Sequence, residues 1–205
     1  MSIEIAIIDY GAGNLHSIRK ALEIAGARVS IIRDPRNLLD AECIVFPGVG
    51  AFGRTMQKLS TYSEEIVDRL KDGTPCLGIC IGMQILFEGS EEGSVPGLSF
   101  IKGRVVRLDG GKIPHMGWNS VLGKDPLLDG VESRYFYFAH SFRAKPREEV
   151  VSCTTQYYGE FPSLIKKKNT YGTQFHPEKS SASGLKFLSN FIKFAEDCLD
   201  RHSSH

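Results

Sequence analysis

A chain of 205 residues with 41% hydrophobic and 24% charged residues has the make-up of a globular protein, which excludes collagen-like, mucin-like and wholly disordered classes. Its 25 basic and 24 acidic residues give a formal charge of +1 without a long block of one sign, so we expect neither a nucleic-acid nor a membrane partner. No apolar run approaches the roughly 18 residues of a membrane span, the amino terminus lacks a signal-peptide pattern and the five cysteines are scattered, so we expect a cytoplasmic protein with reduced thiols.

Short apolar runs alternate with helical patterns in the first half of the chain. The runs at residues 3–9, 29–32, 43–46 and 75–79 predict strands. One helix is predicted to open after Asn14 and to stop at Gly26. A second helical region covers residues 52–70 with a break near residues 61–63, where Ser63 would cap its second part. This alternation implies a parallel sheet covered by helices on both faces.

The second half is rich in short strand patterns separated by turns. Strands are predicted at residues 100–108, 134–142, 150–157, 161–165 and 170–176, with the lysine-rich residues 166–169 as a hairpin turn. Ser183 is predicted to cap a last helix. We therefore expect one α/β domain over residues 1–205, in which a central mixed, mostly parallel sheet is flanked by helices and the C-terminal portion is antiparallel.

The segment around Cys80 has the pattern of a nucleophile elbow. A predicted strand runs directly into a helix through GICIG at residues 78–82, and the small residues on either side permit the strained turn that lifts a nucleophile above a sheet. The start of a helix favours a thiolate, and the backbone N–H of Ile81 can donate to an oxyanion. Cys76 lies inside the strand and is expected to be an inert core residue, and its spacing from Cys80 does not suit zinc.

A base for such a thiol follows another predicted strand, in QFHPEKS at residues 174–180. His176 and Glu178 are two residues apart, so in an extended backbone their side chains leave from the same face. Glu178 can then orient the imidazole while the other ring nitrogen meets Cys80. The sequence therefore predicts a catalytic triad of Cys80, His176 and Glu178.

GICIGMQ at residues 78–84 together with FHPE at residues 175–178 resembles the class I, triad-type glutamine amidotransferases, which hydrolyse glutamine to glutamate and ammonia. Further segments make the resemblance narrower, namely DYGAGN at 9–14, PGVGAF at 47–52, PHMGWN at 114–119, YFAHSF at 137–142 and HPEKS at 176–180. Together they are similar to the family of glutaminase subunits of imidazole glycerol phosphate synthase, an enzyme of histidine biosynthesis. PHMGWN is the segment most specific to that family.

The resemblance implies a reaction and the residues that perform it. Cys80 would attack the side-chain amide of glutamine, and His176 would protonate the ammonia and then activate water against a γ-glutamyl thioester. The oxyanion would be held by the N–H of Ile81 and by the loop with Gly48 and Val49. Family positions that hold the amino-acid end of glutamine match Gly50, Gln84, Glu92, Ser141 and Phe142. No metal or cofactor is implied.

The resemblance also implies a partner, a cyclase subunit with a (β/α)8 barrel that forms a heterodimer with this chain. The partner would receive the ammonia along a shielded path and make imidazole glycerol phosphate and AICAR. Trp118 is expected to anchor the docking face on a loop, because Gly117 and Asn119 flank it. Three other positions match the family's interface, namely Asn14, Tyr137 and Lys179.

Two other functions remain open at this point. The glutaminase of another class I pathway, such as pyridoxal phosphate synthesis, or a γ-glutamyl hydrolase would retain the triad but leave residues 114–119 and 137–142 unexplained. A non-enzymatic thiol sensor or chaperone on the same kind of sheet would use Cys80 as an oxidisable group. A sensor, however, needs no base with an orienting acid, as His176 and Glu178 provide.

Overall fold

The structure, a computed structural model, describes residues 2–11 and 15–203. The strands in these ranges are β1 (Glu4–Ile8), β2 (Arg28–Ile32), β3 (Cys43–Phe46), β4 (Cys76–Ile79), β5 (Gly103–Arg107), β6 (His115–Ser120), β7 (Leu122–Gly123), β8 (Tyr135–His140), β9 (Phe142–Pro146), β10 (Val151–Gln156), β11 (Glu160–Lys167) and β12 (Thr170–Thr173). The helices are α1 (His16–Ile24), α2 (Phe52–Leu59), α3 (Ser63–Lys71), α4 (Ile81–Gln84) and α5 (Ser181–Ser203). None of these helices is both long and apolar enough to cross a membrane.

Eight strands form the main sheet, in the order β2-β1-β3-β4-β12-β11-β10-β7. The pairs from β2 to β12 are parallel, and those from β12 to β7 are antiparallel. Of the hairpin turn predicted at residues 166–169, Lys168 and Asn169 form the turn between β11 and β12, whereas Lys166 and Lys167 are paired residues of β11. Two antiparallel ribbons, β5 with β9 and β6 with β8, stand apart from the main sheet. The expected mixed sheet with an antiparallel C-terminal portion is confirmed.

The core lies on both faces of the main sheet because successive strand residues point to opposite sides. Along β1, Ile5 and Ile7 pack in a buried cluster with α1 and α5, whereas Ala6 and Ile8 pack in a second cluster with α2 and α3. This double burial explains why the parallel strands are continuous apolar runs rather than alternating ones. The carboxyl ends of β3, β4 and β12 meet at one edge, where a doubly covered sheet usually carries its site.

Two predicted helix caps are wrong. Ser63 is the first residue of α3, where its hydroxyl donates to the carbonyl of Ser60 at 3.1 Å, and Tyr62 before it makes no side-chain cap. Ser183 lies inside α5, which begins two residues earlier, and its hydroxyl donates to the carbonyl of Ser133 at 2.9 Å. Each hydroxyl has an available carbonyl within reach and therefore does not serve a free N–H at the helix start.

The expectation of a loop around Trp118 is also wrong, because this residue lies in the strand β6. It is paired with Tyr137 of β8 in an antiparallel ribbon, and Gly117 beside it has φ +129°. A glycine is tolerated there because the ribbon gains its stability from ladder hydrogen bonds rather than from a buried side chain at that position. Trp118 is nevertheless 52% exposed, so the expected surface anchor is present on a strand.

Candidate active site

Cys80 stands at the turn between β4 and α4. Its backbone has φ +51°, a conformation that non-glycine residues rarely adopt, and its N–H donates to the carbonyl of Thr173 at 2.6 Å. A Cβ on Gly78 would strike the backbone of Gly82, and a Cβ on Gly82 would strike the backbone of Phe46. Glycine at both positions therefore permits the turn, which holds the thiol at the carboxyl edge of the sheet with 8% of the residue exposed.

His176 and Glu178 form a buried pair in which the imidazole Nδ1 lies 2.8 Å from a carboxylate oxygen, Oε1. Because a carboxylate only accepts, Nδ1–H donates to it, which leaves Nε2 for Cys80, the residue that raises the pKa of the ring most. Burial lowers the pKa of His176, but the charge and hydrogen bond of Cys80, followed by those of Glu178, raise it to about 10. The raised pKa favours the charged form of the His176 ring.

The backbone between the two residues differs from the expected extended segment. His176 itself is extended, but Pro177–Lys179 form a single 3-10 turn, which brings the Glu178 carboxylate back against the ring. The hydroxyl of Ser180 donates to the His176 carbonyl at 2.6 Å and accepts the N–H of Tyr137 at 2.9 Å. The His176 N–H donates to the Tyr137 carbonyl at 2.8 Å. These three bonds fix the imidazole-bearing backbone to β8.

The predicted oxyanion donors lie on two elements. Ile81 opens α4, so its N–H has no acceptor within the helix. Gly48 and Val49 follow β3, and a Cβ on Gly48 would lie 2.6 Å from Cε1 and 2.9 Å from Nδ1 of His176. Gly50 has φ +105°. The positive φ is therefore at Gly50, whereas the missing side chain of Gly48 makes room for the imidazole of His176.

Gln84 is buried at the end of α4, and both hydrogens of its amide are in use. Its Nε2 donates to the Phe142 carbonyl at 3.1 Å and to Oε1 of Gln174 at 3.1 Å. The amide of Gln174 in turn donates to the sulfur of Cys80 at 3.6 Å. Ser141, which precedes Phe142, is half-buried. The predicted substrate residues Gln84 and Phe142 are thus joined to the sulfur of Cys80 through Gln174.

Glu92, the predicted partner of the substrate ammonium, is exposed and accepts the N–H of Phe52 at 3.0 Å. Phe52 is the first residue of α2, so the carboxylate caps this helix and is favoured there by its dipole. Gly50 lies two residues before Phe52 and is also exposed. No hydrogen bond joins Glu92 to Cys80 or His176 in the described ranges. The Glu92 carboxylate therefore lies beside the end of the Gly48 loop, where α2 begins.

The predicted interface residues form an exposed aromatic face on the ribbon of β6 and β8. The Trp118 ring meets the Tyr137 ring edge to face at 6.3 Å, and the Lys179 ammonium lies 5.9 Å from the centroid of Tyr137. Met116 and Tyr135 on the same ribbon are 64% and 57% exposed. Asn14, the remaining interface prediction, lies outside the described residues.

Two kinds of site residue were not predicted from the sequence. Gln174 contacts the sulfur of Cys80, and it is two residues before His176, so the period of a strand could have indicated that it shares a side with the imidazole. His115 and His140 are bonded ring to ring at 3.0 Å across the ribbon, a cross-strand pairing that no local pattern reveals. The remaining thiols are buried, and burial raises the pKa of Cys76 well above the usual range, as an inert core residue requires.

Comparison with known families agrees with this geometry. The family model described as glutamine amidotransferase class-I matches residues 6–194. The subunit HisH of imidazole glycerol phosphate synthase from Methanocaldococcus jannaschii is 50% identical over 194 residues, which cover 92% of this chain and 98% of the relative. The subunit HisH 1 from Methanococcus maripaludis is 48% identical over 200 residues, again covering 92% and 98%.

Solved structures share the fold. A glutamine amidotransferase structure superimposes with a TM-score of 0.73 at 18% identity and covers 93% of this chain and 98% of its own. The structure of PurLQS from Thermotoga maritima has a TM-score of 0.69 at 21% identity, with coverage of 97% and 100%. At these identities the similarity extends to the fold and its α/β layering.

Proposed function

Because the chain belongs to the class-I glutamine amidotransferases, and within them to the family of HisH subunits of imidazole glycerol phosphate synthase, we propose that it hydrolyses glutamine at Cys80. The observation that carries this proposal is the buried His176–Glu178 pair, with Nδ1 and Oε1 2.8 Å apart, beside a cysteine on a strained elbow. A thiol that served only as a core residue would need neither a strained backbone nor a paired base.

The first half of the reaction forms a thioester. The Cys80 thiolate attacks the side-chain carbonyl carbon of glutamine, and a new C–S bond forms as the carbonyl oxygen becomes an oxyanion. The Ile81 N–H and a donor from the loop with Gly48 and Val49 stabilise this oxyanion. As the C–N bond breaks, the leaving nitrogen takes a proton from Nε2 of His176 and departs as ammonia.

The second half releases glutamate. Neutral His176 takes a proton from a water molecule, which attacks the thioester carbon. The C–S bond breaks, the thiolate of Cys80 returns beside the imidazolium, and the new carboxyl group of glutamate releases its proton to solvent and leaves as the carboxylate. Glu178 accepts from Nδ1 throughout, so Nε2 stays directed at the reacting atoms and the charge that develops on the ring is stabilised. The raised pKa of His176 agrees with this role.

The amino-acid end of glutamine is held by residues around the elbow in this proposal. Gly50, Ser141 and Phe142 supply backbone and side-chain contacts, Gln84 supplies its free carbonyl oxygen, and Glu92 holds the ammonium. Support comes from the contact of Gln84 with the Phe142 carbonyl and from the hydrogen bond of Glu92 to the N–H of Phe52, two residues after Gly50.

The ammonia passes to a cyclase subunit with a (β/α)8 barrel, which makes imidazole glycerol phosphate and AICAR in histidine biosynthesis. The aromatic face with Trp118, Tyr137 and Lys179 is the proposed heterodimer contact, together with Asn14. Exposed aromatic anchors of this kind dominate the energetics of protein interfaces. We further propose that residues 1–205 form one domain and work in the cytoplasm, in keeping with five cysteines that form no disulfide.

The decisive experiment measures glutamine turnover by the chain alone, with a candidate cyclase subunit, and with that subunit holding its nucleotide substrate. If the resting loop at Gly48–Gly50 lacks the second oxyanion donor, turnover should rise by about 10²–10³ when the liganded partner is present. Equal rates under all three conditions would contradict partner gating while leaving the triad intact.

The same assay separates the alternatives. A glutaminase of another pathway would turn over glutamine without responding to the cyclase, and a γ-glutamyl hydrolase would cleave γ-glutamyl peptides. A thiol sensor would hydrolyse neither. The curated relatives at 48–50% identity favour the first proposal.

A further inference from the structure

The ribbon of β6 and β8 carries a pair of buried histidines to which the proposed reaction assigns no role. His115 of β6 and His140 of β8 are 3% and 5% exposed, and Nδ1 of His115 lies 3.0 Å from Nε2 of His140. The described part of the chain contains no cluster of three or more histidine, cysteine and carboxylate side chains that could hold a metal ion. The hydrogen bonds of the pair determine which ring nitrogens donate and which accept.

The carbonyl oxygen of Phe142 fixes these donor and acceptor roles, because it can only accept a hydrogen bond. Nδ1 of His140 lies 2.7 Å from the carbonyl oxygen of Phe142, which can only accept, so Nδ1 carries the hydrogen. Burial lowers the pKa of His140 to about 3, so the ring is neutral and its Nε2 accepts. His115 must therefore donate through Nδ1, which leaves its own Nε2 to accept from the side-chain amide of Asn119 at 3.3 Å.

The chain of hydrogen bonds continues from the Phe142 carbonyl to the nucleophile. This oxygen uses its second lone pair to accept from Nε2 of Gln84 at 3.1 Å, and the other hydrogen of that amide is donated to Gln174 at 3.1 Å. Gln174 donates to the sulfur of Cys80 at 3.6 Å. The two lone pairs of the carbonyl and both hydrogens of the Gln84 amide are thus occupied, so the chain has no alternative partners along this stretch.

The other end of the chain lies on the ribbon that carries the exposed aromatic face. The amide of Asn119, next to Trp118, also donates to the carbonyl of Gln156 at 3.0 Å. The His115 ring is stacked between Phe138 at 4.9 Å and Tyr157 at 4.0 Å between ring centroids. The stack fixes the plane of the imidazole, and therefore the line along which its two nitrogens can bond.

We propose that His115 and His140 are positioning residues for the glutaminase reaction, a neutral pair with fixed tautomers that aligns the Phe142 carbonyl, Gln84 and Gln174 and thereby the sulfur of Cys80. This proposal rests on the proposed function. It assigns the two histidines no contact with glutamine. A shift of β6 would, on this proposal, change the position of the Cys80 sulfur. Misplacing reacting groups by about 1 Å costs on the order of 10²-fold in rate, which sets the scale of the effect.

The main test replaces each ring by a side chain that keeps the packing or keeps one bond. His115→Phe retains the stack but removes both nitrogens, and His140→Leu removes the donor to Phe142, whereas His140→Asn keeps a donor near the position of Nδ1. Tyr157→Phe is the matched control, because it lies against the same ring and loses only a bond to the Lys112 carbonyl. Melting curves of each variant report whether the fold is retained.

We expect His115→Phe and His140→Leu to lower kcat by about 10- to 100-fold with a smaller change in KM. We also expect them to slow the alkylation of Cys80 by iodoacetamide, since the donor from Gln174 stabilises a charged sulfur more than a neutral one. His140→Asn should recover part of both rates, and Tyr157→Phe should match the unaltered chain. Unchanged kcat and alkylation in the first two variants, or equal loss in His140→Asn and His140→Leu, would overturn the proposal.

A spectroscopic measurement on the unaltered chain decides the case even where a variant fails to fold. Long-range ¹H–¹⁵N correlation spectra of the histidine rings should show His115 and His140 as neutral Nδ1–H tautomers at neutral pH. An Nε2–H tautomer, a charged ring or averaging between tautomers at His140 would overturn the proposal. Alkylation and tautomer do not depend on glutamine, so a chain without glutaminase activity would contradict the proposed function and leave these two readouts to judge the histidine pair.

Discussion

The carbonyl oxygen of Tyr137 accepts the backbone N–H of His176 at 2.8 Å, so a half-buried aromatic residue of β8 is bonded to the backbone that carries the proposed base. The two residues form an isolated antiparallel bridge, and Ser180 strengthens it by bonding to both backbones. A displacement of β8 would therefore move the backbone of His176 directly. This relationship places the proposed partner contact one hydrogen bond from the chemistry.

Replacing the nucleophile should abolish activity and spare the fold. Cys80→Ala removes the proposed nucleophile but little core volume, so we expect loss of glutamine turnover with a melting temperature within a few degrees of the original. The matched control is Cys76→Ser, four residues earlier in β4. This change should affect stability, because the thiol is fully buried. Turnover near the original level in Cys80→Ala would contradict the assignment.

The titration of His176 should depend on both of its partners. Its pKa is raised to about 10 chiefly because Cys80 and then Glu178 outweigh the effect of burial. Removing either negative partner destabilises the imidazolium, so Cys80→Ala and Glu178→Gln should each lower the pKa of His176. Nuclear magnetic resonance of the ring across pH 5–11 measures this, and a midpoint that stays in place in both variants would refute an ion pair.

Adding one methyl group at Gly48 should damage catalysis through His176. An alanine Cβ there would lie 2.6 Å from the ring carbon Cε1, so the imidazole must move or the loop must shift. We expect Gly48→Ala to lower kcat by at least about tenfold. Gly53→Ala in α2 is the control, since its Cβ would have only an ordinary contact of 3.9 Å with Val95. Similar kcat values in the two variants would contradict the prediction and show that the loop can move to accommodate the methyl group without displacing His176.

Glu92 has two separable roles, a helix cap and a proposed ammonium ligand. Glu92→Gln keeps an oxygen for the Phe52 N–H but removes the charge, so we expect KM for glutamine to rise with little change in the melting temperature. Glu92→Ala removes both and should also lower the unfolding free energy by about 1 kcal/mol, as lost caps do. If Glu92→Gln keeps the original KM, the residue acts as a cap alone.

Trp118 should carry much of the affinity for the partner. We expect Trp118→Ala to weaken cyclase binding by about 2 kcal/mol or more, a loss typical of aromatic anchors, while basal turnover of the isolated chain changes little. Ile24→Ala serves as the control, because Ile24 is 61% exposed on α1, away from the ribbon. Binding measured by titration calorimetry that is equal for both variants would move the interface elsewhere.

Much of the fold and the nucleophile could be predicted from local pattern. Apolar runs buried on two faces identified the parallel strands, with β3 at the predicted residues. GICIG identified the elbow because the requirement for glycine at 78 and 82 is a contact within one turn or with the neighbouring strand. Histidine and glutamate two residues apart were also predicted to pair, although a 3-10 turn rather than an extended backbone joins them.

What only the tertiary structure decided depends on contacts between residues far apart in sequence. Three sets of contacts are of this kind, namely the Gly48 contact with His176, the cap that Glu92 provides to Phe52 and the bond from His115 to His140. Each joins residues at least 25 positions apart, whereas the step from Asn119 to His115 spans four. Local pattern records which side chain faces the core and where a turn is permitted. Pairing across strands is set by the register of the whole sheet, which is a property of all the buried contacts together.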